Sequence, residues 1–168
     1  NKHYPLRGEN CGSEAIQRLF SGESQDESKR LFYVLRSALA RENVVFFGAL
    51  ANSMYARLGR RGVSGREPTV PDFDVLSTTP KATADKTAKA LRDDGFKNIR
   101  IFSHNRIGDV ISEHYEIRVG DDTVAFIYRP LACHGYNVAR VGPLRLRIAS
   151  IDTMMSFYLA FIYAGKPY

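Results

Sequence analysis

Two aspartates separated by one residue, Asp72 and Asp74, are the side chains of this sequence best suited to chemistry. They lie in the run Pro71-Asp72-Phe73-Asp74-Val75-Leu76, which has the composition of a short strand. Because side chains alternate along a strand, both carboxylates project from one face and Phe73 and Val75 from the other. Carboxylates crowded in this way repel each other, and a divalent cation bound by both removes the repulsion. The pair therefore predicts a site for Mg²⁺ or Mn²⁺, since Mg²⁺ is commonly held by one or two carboxylates and substrate phosphates.

A glycine at the end of a strand forms a second motif. The run from Val44 to Leu50 reads as a buried strand that ends at Gly48 and passes directly into a helix. A glycine at the start of a helix lets a triphosphate approach the backbone N–H groups closely. Together with the paired aspartates, it suggests metal-assisted phosphoryl chemistry on a nucleotide.

Length and charge restrict the class of protein. The chain has 168 residues and a net charge of +6, which suit one domain, or one domain and a fragment of a second, with an anionic ligand such as a nucleotide or nucleic acid. A basic surface without a ligand is the alternative. Cys11 and Cys133 lack the spacing of zinc ligands or of a disulfide framework. No apolar run reaches membrane-spanning length and no signal peptide opens the chain, so we expect an intracellular protein without a membrane partner.

The hydrophobic pattern divides the chain into three parts. Residues 1–23 are expected to form an irregular arm and a short helix, residues 24–149 the main domain, and residues 150–168 the start of a following helical segment. The chain begins at Asn1 and stops within a helical pattern, so we expect an excerpt of a longer polypeptide. Strand-like segments follow the aspartates at 98–103, 114–119 and 123–128.

The order of helix, strand, glycine, helix, basic loop, Asp-x-Asp strand, helix and hairpin resembles the nucleotidyltransferase domain of the DNA polymerase β superfamily. In that family a hydrophobic strand, Gly-Gly or Gly-Ser, and a helix precede [DE]-h-[DE]-h, where h is hydrophobic. Here Phe47-Gly48-Ala49 and Asp72-Phe73-Asp74-Val75 match it. The resemblance implies an α/β (α+β) fold, with a small mixed, mostly antiparallel sheet and helices on one face.

The carboxy-terminal part resembles a narrower group. The segments Cys133-His134-Gly135-Tyr136-Asn137 and Leu146 to Leu159 look like the poly(A) polymerase catalytic subunits of poxviruses and other large DNA viruses. This resemblance implies template-independent transfer of AMP from ATP to RNA 3′ ends, in the host cytoplasm or the virion. It also implies that Asp72 and Asp74 hold two metal ions, that Gly48 and Ala49 offer N–H groups to the phosphates, and that Asn52 or Ser53 adds a side-chain contact.

The sequence departs from the superfamily motif in two places. Ala49 replaces the second Gly or Ser, which removes a hydroxyl contact to phosphate. The third carboxylate, which the superfamily carries on a later strand, is missing from the run Thr123 to Tyr128; Asp122 and Glu116 are the substitutes nearby. Loss of general-base assistance typically lowers a rate about 10²–10⁴-fold. A non-catalytic copy that binds RNA or dimerises therefore remains an alternative, as does an enzyme with a small-molecule, tRNA or protein acceptor.

A basic loop connects the two motifs. Arg60, Arg61 and Arg66 lie in it and are candidate contacts to the RNA backbone, although a solvated loop is the alternative. The expected ligands are thus ATP, an RNA 3′ end, and Mg²⁺ or Mn²⁺, and a homodimer or a processivity subunit is a further expected partner.

Overall fold

The structure, a computed structural model, describes residues 25–58 and 72–165. Four helices and seven strands lie in these ranges. The helices are α1 (Gln25–Arg41), α2 (Gly48–Leu58), α3 (Pro80–Asp93) and α4 (Ile151–Tyr163). The strands are β1 (Val45–Phe47), β2 (Phe73–Leu76), β3 (Ile99–His104), β4 (His114–Val119), β5 (Asp122–Tyr128), β6 (Tyr136–Val141) and β7 (Leu144–Ala149). None of the helices in these ranges is long and apolar enough to cross a membrane.

The strands form one sheet in the order β3-β4-β5-β2-β1-β7-β6. Four neighbouring pairs are antiparallel, and the pairs β1–β7 and β2–β5 are parallel. The predicted mixed, mostly antiparallel sheet is confirmed. The two short strands that carry the motifs, β1 and β2, lie side by side in its middle, where neighbours on both sides fix their position.

Helices α1 and α3 cover one face of the sheet. Phe46 and Phe73 project from this face and contact each other, with 6.0 Å between ring centroids, and Phe32 of α1 lies 5.2 Å from Phe73. Helix α3 packs against β3, β4 and β5 and against α1. Ala84, Ala88 and Leu91 of α3 are fully buried. The two alanines are small and allow the helix to lie close to the sheet. This face therefore holds the larger share of the core.

Helix α4 lies on the opposite face, so the prediction of helices on one face applies to α1 and α3 and not to α4. Phe47 follows Phe46 and projects from the other side of the sheet. Its ring stacks on Phe157 of α4, with 4.5 Å between centroids, and Tyr128 lies 5.9 Å from Phe161. The aromatic side chains of β1 and β5 thus form a second apolar layer that holds α4 in place.

Candidate active site

The sheet places both aspartates beside the start of α2. Asp72 directly precedes β2, and Asp74 lies within it, opposite Phe47 on β1 and in register with Phe126 on β5. Helix α2 begins at Gly48, directly after β1. Its amino-terminal turn lies on the face of the sheet that carries Asp74, because Gly48 contacts the Asp74 side chain. The two sequence motifs therefore meet at one point of the fold.

Gly48 is required at this point for two reasons. Its φ angle is +63°, a left-handed conformation that side chains other than glycine rarely adopt. A Cβ atom built on Gly48 would overlap the Oδ2 atom of Asp74 and lie 3.1 Å from its Cβ. The carboxylate of Asp74 thus lies directly against the backbone at the start of the helix. The predicted close approach at Gly48 is present, and in this structure the approaching group is Asp74.

Both carboxylates are partly buried and resist ionisation. Burial raises the pKa of Asp74 well above its ordinary value, and the charge of Asp72 raises it further. Burial also raises the pKa of Asp72, although a hydrogen bond from its own backbone N–H lowers it in part. Raised carboxylate pKa values in a crowded pair are typical of sites that bind a cation or handle a proton.

A tyrosine from α4 completes the surroundings of this pair. The hydroxyl of Tyr158 accepts a hydrogen bond of 2.7 Å from Nδ2 of Asn52 on α2. Burial raises the pKa of Tyr158, the bond from Asn52 opposes this, and the charge of Asp74 adds to it, so the hydroxyl interacts electrostatically with Asp74. Tyr158 is not among the residues that the sequence predicts for the site. One signal was available, because a tyrosine in an apolar helix needs a partner for its hydroxyl group.

The other residues predicted to contact the nucleotide or the RNA are Ala49, Ser53 and three arginines. Ala49 lies in the first turn of α2, whose N–H groups lack partners within the helix. The hydroxyl of Ser53 donates a bond of 2.7 Å to the Leu50 carbonyl and is engaged within its own helix. Arg60, Arg61 and Arg66 lie outside the described residues.

Phe126 occupies the place on β5 beside Asp74. The two residues are in register on adjacent parallel strands and share a face of the sheet. Asp122, at the start of β5, pairs with Val119, whose side chain is buried. Paired residues share a face, so Asp122 projects toward the side covered by α3 and away from Asp74. In the described ranges, no three His, Cys, Asp or Glu side chains form a group suited to a metal ion.

Glu116 is on the face of Asp74 but two strands away, with β5 between them. Adjacent strands lie about 4.8 Å apart, which puts the two backbones about 10 Å from each other. The carboxylate of Glu116 accepts hydrogen bonds from Arg118, Thr123 and His104. Burial opposes its ionisation, but these donors and the Arg118 charge hold its pKa below the ordinary value. Glu116 is thus committed to its own cluster.

Comparison with known proteins supports the fold by structure alone. No family model and no curated protein sequence matches the chain. The structure is similar to the crystal structure of the Megavirus polyadenylate synthase, with a TM-score of 0.65 and 14% sequence identity. The similarity covers 85% of this chain and 28% of that protein, so the chain spans less than a third of its length. The predicted α/β (α+β) fold is therefore confirmed: this chain has the fold found in part of the Megavirus polyadenylate synthase.

Proposed function

We propose that this domain transfers a nucleotidyl group, AMP from ATP, to the 3′ end of an RNA. The observation that carries the proposal is the position of Asp72 and Asp74, two carboxylates with raised pKa values at the amino-terminal turn of a helix. In this reaction the 3′-hydroxyl oxygen bonds to the α-phosphorus, the bond from that phosphorus to the β-phosphate oxygen breaks, and pyrophosphate leaves. The hydroxyl proton is lost as the new bond forms.

The two aspartates fit a divalent cation. A phosphate at the start of α2 and the carboxylate of Asp74 against Gly48 would bring anions together in a partly buried place. Their repulsion, added to that between Asp72 and Asp74, is relieved by Mg²⁺ or Mn²⁺, both of which accept oxygen ligands. When bound, the cation would neutralise the triphosphate and lower the pKa of the attacking hydroxyl.

The residues of α2 and α4 would position the nucleotide. The N–H groups at Gly48 and Ala49 would donate to phosphate oxygens, as expected at a helix N-terminus. Asn52 is exposed, and its bond to Tyr158 would hold its amide in place in the first turns of α2. Ser53 would contribute only after its hydroxyl leaves the Leu50 carbonyl.

The experiment uses the purified chain with labelled ATP, an RNA primer, and Mg²⁺ or Mn²⁺. We expect primer extension that requires the cation and disappears in Asp72→Ala and in Asp74→Ala. Asp85→Ala is the matched control, because it removes an exposed carboxylate on α3 that is paired with Lys81, and it should retain full activity. Full activity in either site variant would disprove the assignment of these carboxylates. Replacing ATP by the other nucleoside triphosphates, and RNA by tRNA or by the protein itself, tests the nucleotide and the acceptor.

A specific observation favours a second candidate. Phe126 lies beside Asp74 where the superfamily carries a third carboxylate, which supports a non-catalytic domain that binds RNA or dimerises. RNA binding by the wild-type chain without primer extension, in the presence of Mg²⁺ or Mn²⁺, would favour this candidate.

The basic loop belongs to the proposed RNA contact. We expect the triple replacement of Arg60, Arg61 and Arg66 by glutamine to weaken RNA binding. It should also reduce the dependence of the Kd on salt, because binding releases fewer counterions from the RNA when fewer phosphates are contacted. An unchanged salt dependence would assign these arginines to a solvated loop. Lys81→Gln, an exposed change on α3, is the control.

A further inference from the structure

Strands β3, β4 and β5 carry two chemically different faces. The face covered by α3 is aliphatic and includes Ile117, Val119 and Ala125, which are buried. The opposite face carries rings and arginines, and we call it the aromatic face. It is formed by Arg100, Phe102, His104, Glu116, Arg118 and Phe126, which are paired across the three strands. The outward face of an antiparallel sheet is usually polar, and exposed apolar groups rimmed by charged ones are typical of interaction sites.

Arg118 is held in place from two sides on the aromatic face. Its Nε atom donates to Glu116, whose side chain is only 3% exposed, and its guanidinium group lies 4.8 Å from the centre of the Phe102 ring. Thr123 and His104 also donate to Glu116 and fix that carboxylate. An arginine whose position is already fixed loses little conformational freedom when it binds an anion. Since its side chain is 38% exposed, Arg118 is suited to a phosphate group.

Two phenylalanine rings and a histidine ring on the aromatic face reach solvent, and the guanidinium groups of Arg118 and Arg100 lie 4.8 and 5.7 Å from the centre of the Phe102 ring. Phe102 and Phe126 are partly exposed, and the side chain of His104 is 40% exposed. His104 stacks on His114 of the neighbouring strand, with 4.8 Å between centroids and 13° between planes, which fixes the orientation of its ring. Aromatic rings on a sheet bind single-stranded nucleic acid by stacking on its bases, a contact that every base can make.

We propose that the aromatic face binds a single-stranded polynucleotide. Phe102 and Phe126 stack on bases, and Arg118 contacts a phosphate. Arg100 contributes a second charge at the edge, where it is paired with Asp121 at 2.9 Å. Phe126 lies in register with Asp74, so the face adjoins the paired aspartates and leads a bound strand toward them. The path of the strand toward the aspartates rests on the proposed function, whereas the binding of a polynucleotide to the aromatic face does not.

The test is a binding titration without ATP or divalent cations. Labelled 12-nucleotide oligo(U) is titrated with the protein by fluorescence anisotropy at several salt concentrations. We expect the double variant Phe102→Leu/Phe126→Leu, which keeps apolar side chains but removes the rings, to raise the Kd about tenfold or more. Arg118→Gln is expected to weaken binding and to lower the salt slope by about 0.7, the value of one phosphate contact on a single strand.

Arg92→Gln provides the matched control, because Arg92 is an exposed arginine of α3 on the opposite side of the sheet. It should change neither the Kd nor the salt slope. Wild-type binding by the double leucine variant, or an equal loss in Arg92→Gln and Arg118→Gln, would overturn the inference. We expect Asp72→Ala/Asp74→Ala to bind oligo(U) normally, so loss of transfer in that variant tests the proposed function separately.

A second measurement needs no variant. Oligonucleotides that carry 5-iodouridine crosslink to aromatic side chains on which the base stacks, and peptide mapping then locates the contact on the wild-type chain. We expect crosslinks to Phe102 or Phe126. Crosslinks confined to peptides outside 99–104 and 114–128 would overturn the inference.

Discussion

At the residue scale, the contact between Gly48 and Asp74 controls the candidate site. The carboxylate occupies the space where any other residue at position 48 would have its Cβ atom, and the backbone there is left-handed. The absence of a side chain at Gly48 thus leaves room for the Asp74 carboxylate, and it would also let a phosphate come close to the backbone. The same closeness contributes to the burial that raises the pKa of Asp74.

We expect Gly48→Ala to be more destabilising than the same change at a glycine with equal backbone strain. Gly120 is the matched control, since its φ of +62° equals the +63° of Gly48 within a degree but no atom lies within 4 Å of an added Cβ. Gly120→Ala should lower the free energy of unfolding by about 1–2 kcal/mol. Gly48→Ala should lower it by about 1–3 kcal/mol more, because the Asp74 side chain must move. Denaturant unfolding measures both, and equal losses would contradict the contact.

The raised pKa of Asp74 predicts a pH-dependent stability. Above the ordinary value of 3.8 the unfolded chain releases the proton while the folded chain retains it, so stability falls as pH rises toward the folded pKa. We expect Asp74→Asn, which cannot ionise, to have a higher Tm than the wild type at pH 7 in the absence of divalent cations. The difference should vanish below pH 3.8. A lower Tm for Asp74→Asn at pH 7 would show that the carboxylate is stabilised in the fold.

At the element scale, α4 holds one side of the site through a few aromatic contacts. Phe157 stacks on Phe47 and lies 6.2 Å from Tyr128, and the next residue is Tyr158, which reaches Asn52. The position of α4 on the sheet therefore decides whether Tyr158 reaches Asn52 on α2. Packing and the candidate site depend on the same helix.

We expect Phe157→Ala to lower the free energy of unfolding by about 3–5 kcal/mol, the usual loss for a buried phenylalanine. It should also weaken nucleotide binding, because Tyr158 loses its support. Tyr163→Ala removes a ring of the same helix that is 81% exposed, and it should change stability by no more than about 0.5 kcal/mol. Chemical denaturation compares the two variants, and similar losses would show that α4 does not dock through Phe157.

At the scale of the whole molecule, α4 leaves an apolar stripe uncovered by the described residues. Ile151, Met155 and Leu159 are 63%, 55% and 58% exposed and lie four residues apart, on one side of the helix. Helix α4 is therefore apolar on the side toward the sheet and also on this exposed side. Exposed apolar patches of this kind favour association.

We expect Met155→Glu/Leu159→Glu to keep the stability of the wild type and to reduce concentration-dependent self-association. Sedimentation at increasing concentration measures the effect, and Lys81→Glu on α3 serves as a control for the added negative charge. A wild-type chain that sediments as a monomer at every concentration would show that the stripe does not mediate self-association.

The sequence by itself determined the local elements and the two motifs. The bounds His114–Val119 of β4 match the predicted segment 114–119, and α4 (Ile151–Tyr163) lies within the helical segment expected over 150–168, because alternation and helical spacing are visible in a few consecutive residues. The Asp72/Asp74 pair on one strand and the glycine at the start of a helix follow from the same local rules. They meet because β1 and β2 are neighbours in the sheet.

Only the tertiary structure decided what surrounds the pair. The place of Phe126 beside Asp74 depends on the register of β2 with β5, which no local pattern encodes. A register shift at Ile117/Arg118 in the β4–β5 pair precedes the point where Asp122 meets Val119, and it decides which face Asp122 takes. Tyr158 and Asn52 are 106 residues apart and meet only because an apolar helix docks on the aromatic side chains of the sheet. Contacts between distant segments depend on packing and register, and the spacing of residues along the chain does not contain them.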